Sequence, residues 1–159
     1  MDPIDGARFR LAMGTYLTGV TVITAFDGEP VGLAANSFTS VSLDPPLVSF
    51  CPALSSSTWP RIERAGSFCV NVLAEDQEDV SRVFATPGAD RFSAFEWQGA
   101  PVTGAPVISG CLAWMECTTE AVHPGGDHVI VVGRVVALGV TEPPGGPLAY
   151  YRGGYRALV

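Results

Sequence analysis

The hydrophobic pattern of the chain is mostly that of short strands cut by turns. Val20 to Phe26 is rich in β-branched residues and ends at Asp27-Gly28, a turn signal. Val31 to Ala35 and Asn36 to Leu43 continue as strand material, and Asp44-Pro45-Pro46 stops it, because proline cannot donate to a ladder. Leu47 to Cys51 is another short strand, and Ser67 to Leu73 places Phe68, Val70 and Val72 on one face. Two long segments follow, Cys111 to Val122 and Val129 to Thr141, joined by His123-Pro124-Gly125-Gly126-Asp127-His128. Pro143 to Pro147 reads as a turn, and Tyr150 to Tyr155 as a last short strand.

Helical spacing is confined to three places. Phe9, Ala12, Met13 and Tyr16 recur on one face of an amphipathic helix over Ile4 to Tyr16. Ser57 to Ala65 carries Pro60 in its first turn and Gly66 just past its end, the expected asymmetry of a short helix. Gln77 to Phe84 is a third, preceded by Glu75-Asp76, whose charge suits a helix N-terminus. Thr86 to Val107 is rich in Gly, Pro and Ala and reads as an ordered surface loop carrying Phe92, Phe95 and Trp97. The fold class expected is mainly β, a barrel or sandwich, with peripheral helices.

At 159 residues and 16.7 kDa, the chain suits one domain over 1–159, with no repeat and no linker. An apolar content of 47% and a mean hydropathy of +0.28 do not fit a disordered chain. Charged residues at 16% leave little to cover a monomer's surface, which points to a buried contact between copies. The net charge is −7, and none of the nine basic residues is a lysine. With no basic stripe, binding to nucleic acid or to an anionic membrane is not expected. The start, MDPIDGARFRL, lacks a basic stretch followed by an apolar one, so no secretory signal is expected. Val129 to Val140 is the longest apolar run; it is twelve residues, broken by Arg134, and too short to span a bilayer. Cys51, Cys69, Cys111 and Cys117 form no CxxC and sit in apolar contexts, the pattern of free thiols in a cytoplasmic protein.

Four segments offer chemistry. Asn36-Ser37-Phe38-Thr39-Ser40-Val41-Ser42 puts short polar groups on both faces of a strand, which fits an edge strand or a polar ligand site. Ser55-Ser56-Ser57-Thr58 precedes a helix start, so it reads either as capping or as part of an anion site. Gly126-Asp127-His128 enters a long strand, where His128 is either structural or a ligand contact. Tyr150-Tyr151-Arg152-Gly153-Gly154-Tyr155 either closes the core or contacts a dinucleotide. Cys111, Cys117, His123 and His128 are separated by six, six and five positions, unlike a zinc-finger or ribbon spacing, and no metal is expected. GxSxG, Walker A and GxGxxG are all absent from the sequence.

In order and spacing these segments resemble the flavin reductase family, the reductase components of two-component flavin-dependent monooxygenases. The resemblance runs from Thr18-Gly19-Val20-Thr21-Val22 through Asn36 to Leu47, then Ser55, Ser57-Thr58 and Gly66 to Leu73. It closes with Gly126-Asp127-His128, Ile130, Gly133 and Val135, and with Tyr151, Gly153 and Tyr155. It implies an FMN-binding split β-barrel, a homodimer with flavin near the subunit interface, and reduction of FMN or FAD by NADH or NADPH. Reduced flavin then passes to a separate oxygenase. The flavin set it implies is Asn36, Ser37, Phe38, Thr39, Ser40, Cys51, Ser55, Ser57, Thr58 and Phe84. The nicotinamide dinucleotide falls to His128, Tyr151 and Arg152. No residue is assigned as catalytic, because hydride transfer belongs to the two cofactors and needs positioning. Leu17, where the family often has proline, and Cys111, where alanine is more usual, depart from the pattern. Other split-barrel flavoproteins (pyridoxamine-phosphate-oxidase-like or haem-linked) and a non-enzymatic flavin carrier are the alternative readings.

Overall fold

The fold is built on hairpins, and the turns of the first two lie where the sequence places them. In the computed structural model, which describes residues 3–143 and 145–158, β2 (Thr21–Phe26) turns at Asp27-Gly28 into β3 (Pro30–Ala35). β4 (Thr39–Leu43) turns back into β5 (Pro46–Phe50), and β6 (Ser67–Val72) pairs with β2 on the side away from β3. The long hairpin of β9 (Ala113–Gly125) and β10 (His128–Val140) completes an antiparallel sheet in the order β3-β2-β6-β9-β10-β5-β4. Three smaller elements, β1 (Thr18–Gly19), β11 (Ala149–Tyr151) and β12 (Gly154–Arg156), form a second sheet in the order β1-β11-β12.

The large sheet curls around its own core. Ile23, Ala25, Val31, Val48, Phe50, Phe68, Val70, Cys117 and Val131 come from six of its strands and meet in one buried cluster. Side chains from that many strands meet only if the sheet bends toward its inner face. Helix α2 (Trp59–Ala65) plugs this cluster with Trp59 and Ile62. Phe50 meets Trp59 and Phe68 edge-on, at ring centroids of 6.0 and 5.1 Å. The outer face of β2 and β6 is buried too. Val22 and Leu73 pack there against Val80 and Phe84 of α3 (Glu78–Ala85) and against Ile108 and Leu148.

Two buried polar side chains fasten the segment between α3 and β9. Asn71 donates to the carbonyls of Val22 and Pro106 and accepts from the Ile108 amide at 2.8 Å. Glu116 is fully buried and accepts from the amides of Val102 and Thr103 and from the Thr103 hydroxyl. These bonds satisfy backbone donors that burial would otherwise leave unpaired. They also fix a two-stranded ribbon, β7 (Trp97–Gly99) with β8 (Pro106–Ile108), inside the stretch expected to be loop.

Four further expectations are corrected. Helix α1 is Gly6–Met13, shorter than expected, and buries no residue, so its apolar face is left open. Asn36 to Phe38 lies outside any strand, and β4 begins at Thr39. The six-residue connection after Val122 is a two-residue turn, because β9 runs on to Gly125, opposite His128. Gly126 holds φ at 73°, the positive value that a tight hairpin asks of its first turn residue. The expected strand over Tyr150 to Tyr155 is the hairpin β11–β12, turning at Arg152 and Gly153 with φ of 49° and 74°.

Candidate functional site

The two edges of the curled sheet, β3 and β4, are joined by Asn36, Ser37 and Phe38, and a cleft opens beside this joint. The Ser37 hydroxyl accepts from the Cys51 amide at 2.9 Å, which holds the joint against the segment leaving β5. That segment is itself tied to the β9–β10 turn. The Leu54 amide donates to Asp127 at 2.9 Å, and the Val129 amide donates to Pro52 at 3.1 Å. Three stretches that are distant in sequence therefore share one wall.

The cleft has a volume of about 500 Å³. Asn36, Ser37, Cys51, Ser55, Ser57 and Thr58 line it, together with Phe84 of α3 and His128 of β10. Its apolar surface comes from Leu33, Ala34, Ala35, Phe84 and Pro87. Seven of the ten residues in the expected flavin set line the cleft directly: Asn36, Ser37, Cys51, Ser55, Ser57, Thr58 and Phe84. The other three do not. Phe38 packs against the main core, and Thr39 and Ser40 lie exposed on β4, where the Thr39 hydroxyl donates to the Ser40 carbonyl.

The residues expected at the dinucleotide are divided. His128 lines the cleft, and its Nδ1 lies 2.7 Å from Asp127 Oδ1. That hydrogen bond holds the Asp127 carboxyl below its usual range. Arg152 lies in a separate groove of about 440 Å³ with Tyr150, Arg10, Met13 and Tyr16, and its guanidinium sits 5.3 Å from the Tyr151 ring. Asn36 and Ser37 line both spaces and so connect them.

The capping reading of Ser55 to Thr58 is resolved to one residue. Thr58 occupies the N-cap position of α2 but makes no capping bond with its side chain. Ser56 takes that role, its hydroxyl accepting from the amides of Thr58 and Trp59 at 3.2 and 3.1 Å. Thr58 is left to accept from Arg91, at 2.9 Å.

Arg91 is the functional candidate that the sequence did not reveal. It sits in the stretch read as loop, with no neighbouring motif to mark it. Its guanidinium donates to the carbonyls of Gly32 and Thr86, at 2.6 and 3.0 Å, and to Thr58. Among the described residues no carboxylate pairs with it, and its Nε is buried without a partner. Burial pulls its pKa down, since nothing nearby compensates the desolvated cation. Cys51, half-buried in the same cleft, has its thiol pushed up by desolvation and stays protonated near neutral pH. Among the described residues no three His, Cys, Asp or Glu side chains converge as a metal site.

The cleft can therefore seat a flat, mainly apolar ring system against β3 and α3, and an anionic tail against hydroxyls and Arg91. Known proteins point the same way. Residues 13–159 match the flavin reductase like domain. The chain is 46% identical over 158 residues to the reductase subunit HsaB of a flavin-dependent monooxygenase from Rhodococcus jostii, covering 99% of this chain and 80% of that protein. Among solved structures, a homologue of nitrilotriacetate monooxygenase component B from Mycobacterium thermoresistibile superposes with a TM-score of 0.93 at 43% identity, over 96% of this chain and 86% of that one. The NADH:FAD oxidoreductase SgcE6 of Streptomyces globisporus, in complex with NAD and FAD fragments, gives a TM-score of 0.94 at 36% identity, over 100% and 96%. The fold is thus the split β-barrel of these reductases, and the chain belongs to the flavin reductase like domain family.

Proposed function

We propose that this protein is an NAD(P)H-dependent flavin reductase that supplies reduced flavin to a separate monooxygenase. The observation that carries the reading is the convergence of Asn36, Ser37, Ser55, Ser57, Thr58 and Arg91 on one cleft with an apolar wall. The residues fit a flavin. Leu33, Ala34, Ala35 and Phe84 offer a surface for a planar ring, and the hydroxyls with Arg91 offer donors for a phosphate. A bound flavin accepts hydride from a reduced nicotinamide, chemistry that belongs to the two cofactors.

This chain's part is positioning. Asn36 and Ser37 present short polar groups at the joint between the sheet edges, where ring heteroatoms need partners. Ser57, Thr58 and Arg91 hold the tail end. His128, fixed through Nδ1 by Asp127, keeps Nε2 for the second ligand. Ser37, Ser55 and Ser57 are exposed, which suits a flavin that exchanges with solvent and passes to a partner. No proton donor or acceptor is required of the chain.

A homodimer and a cytoplasmic setting belong to the same reading. Ile4, Leu11 and Tyr16 near or on α1 are 79%, 77% and 69% exposed, and Leu138 and Val140 of β10 are each 62% exposed. A second copy is the occupant that removes this apolar surface from water. Cys69, Cys111 and Cys117 are buried free thiols, as a reducing compartment allows. No helix among the described residues is long and apolar enough to cross a membrane.

The test is steady-state turnover with FMN or FAD against NADH or NADPH, all four pairs, alongside sedimentation at micromolar protein. NADH or NADPH oxidation that requires added flavin is expected, with a mass near twice that of the chain. A protein that binds flavin but oxidises neither nucleotide is a carrier, and the reading fails.

A further inference from the structure

Ser81 stands in the middle of α3, one turn before Phe84, and is buried. A serine inside a helix ordinarily turns its hydroxyl to solvent or back on the carbonyl four residues earlier. Here it shares a hydrogen bond of 2.8 Å with the hydroxyl of Tyr155 on β12. Among the described residues neither hydroxyl has another partner, and no other side-chain hydrogen bond joins α3 to the small sheet. The Tyr155 ring is itself held. The Arg82 guanidinium lies 4.8 Å from its centroid, and Tyr150 of β11 meets it edge-on at 5.3 Å.

The bond lies between the cleft and the Arg152 groove. Ser81 and Tyr155 wall a small cavity of about 210 Å³. It shares Ala34, Ala35 and Ala85 with the cleft, Tyr150 with the groove, and Asn36 with both. On one side α3 carries Phe84 to the cleft; on the other the β11–β12 hairpin carries Tyr150 and Arg152 to the groove. We propose that Tyr155, acting through Ser81, is a positioning residue for hydride transfer. It sets the separation between the α3 wall beside the flavin and the hairpin on the nicotinamide's side. The inference rests on the flavin reductase reading and extends it to how the two ligands are brought into register. Hydride transfer needs its reacting atoms about 3–3.5 Å apart, and a misplacement of about 1 Å costs about 10²-fold. α3 has only eight residues and otherwise packs through apolar contacts of Val80 and Phe84. Such contacts are non-directional and leave a short helix free to slide. A hydrogen bond to a ring that is fixed in turn removes that freedom.

The experiment is anaerobic stopped-flow reduction of the flavin-loaded protein over a range of NADH or NADPH concentrations. It is run with protiated nucleotide and with nucleotide deuterated at the transferred position, in wild type, Tyr155→Phe, Ser81→Ala and the double variant. Tyr155→Phe removes one oxygen and keeps the ring that Arg82 and Tyr150 hold. Each single variant is expected to lower the limiting rate about tenfold, a fraction of the cost of a full ångström. The dissociation constants for flavin and nucleotide are expected to stay at their wild-type values. The double variant should be no slower than the slower single one, because both changes delete the same bond. The isotope effect should be at least as large in the variants as in wild type, since the slowed step is the transfer itself. Should Tyr155→Phe fail to fold by circular dichroism, Ser81→Ala, which deletes the bond from its other end, decides alone. A wild-type limiting rate in the folded variants overturns the inference and makes the bond a matter of stability only. So does a raised dissociation constant at an unchanged limiting rate, or a rate loss in which the isotope effect disappears. All three leave the reductase reading standing. A wild-type protein whose bound flavin neither nucleotide reduces overturns both.

Discussion

Arg91 donates to the hydroxyl of Thr58 at 2.9 Å, and through it a loop after α3 fixes the group that stands at the entrance to α2. Thr58 has no capping duty, since Ser56 performs it, so its oxygen and that of Ser57 serve the cleft. Replacing Ser57 and Thr58 together with alanine removes both hydroxyls and the acceptor that orients Arg91. FMN affinity should fall by about 1–3 kcal/mol, the scale of lost hydrogen bonds to a charged group. Titration of the folded double variant measures it, and an unchanged affinity removes these residues from the site.

Gly32 is held to glycine by Phe84. A Cβ at position 32 would stand 2.8 Å from Phe84 Cε1 and 3.1 Å from the Ile23 carbonyl oxygen. Phe84 is buried, packed edge-on against Phe92 at 5.1 Å, and cannot retreat into the core without displacing it. Gly32→Ala should therefore push the ring toward the cleft. A loss of about 1–3 kcal/mol is expected from overpacking, together with weaker flavin binding. Urea midpoint and flavin titration read the two effects. Wild-type values for both would mean that α3 shifts freely, contrary to its packing on β3.

Much of this was legible in the sequence because it depends on local chemistry. Asp27-Gly28 and Gly66 announced their turn and helix end, β-branched content announced β2, and alternation announced β6. The segments that bear the cleft, at 36–37, 51–58 and 128, were visible as polar groups in unusual places. What escaped depends on contacts distant in sequence. Nothing near Arg91 marks it as spanning Gly32, Thr58 and Thr86. Trp97 to Ile108 became a ribbon because Asn71 and Glu116, far away in the chain, supply its bonds. Alternation over Asn36 to Ser42 extended the strand too far, since Ser37 bonds to Cys51 in place of a ladder partner. Helical periodicity at Phe9 and Met13 was read correctly as a helix, but the surface that covers such a face is not in this chain's own fold.

Asp27 ties the β2–β3 turn to α2 through Arg61, at 3.1 Å, and through Arg64. Its carboxyl is held below the usual range, first by the hydrogen bond from Arg64 and then by that from Arg61. A depressed folded-state value means that the group stabilises the fold above its unfolded pKa of about 3.9. That contribution disappears as pH falls through the lower, folded value. Asp27→Asn should therefore be less stable than wild type by a constant margin from neutral pH down to about pH 4, and the two should converge below it. Denaturant titrations at a series of pH values test the sign. A gap that widens on acidification would show that the carboxylate does not govern this tie.

His128 lines the cleft from the end of the β9–β10 hairpin, with Nδ1 held by Asp127 at 2.7 Å. The hairpin is pinned in turn by the bonds from Leu54 and Val129, so the ring stands on a fixed support. Among the described residues, the only carboxylate bonded to it is that of Asp127, which is 95% exposed, unlike the buried partner that tunes a catalytic imidazole. The role we propose for it is positioning, with Nε2 turned to the nicotinamide dinucleotide and the flavin on the opposite segments. His128→Ala should raise the dissociation constant for NADH and leave FMN affinity close to wild type. Loss of binding shared by ground and transition states raises KM and leaves kcat alone. Loss of an essential acid or base would instead depress kcat by about 10²–10⁴-fold. Stopped-flow reduction of bound flavin over a range of NADH concentrations separates the two. A collapse of the limiting rate at an unchanged NADH dissociation constant would make His128 a proton-transfer residue. If rate and dissociation constant both stay unchanged, the histidine serves only to brace the turn.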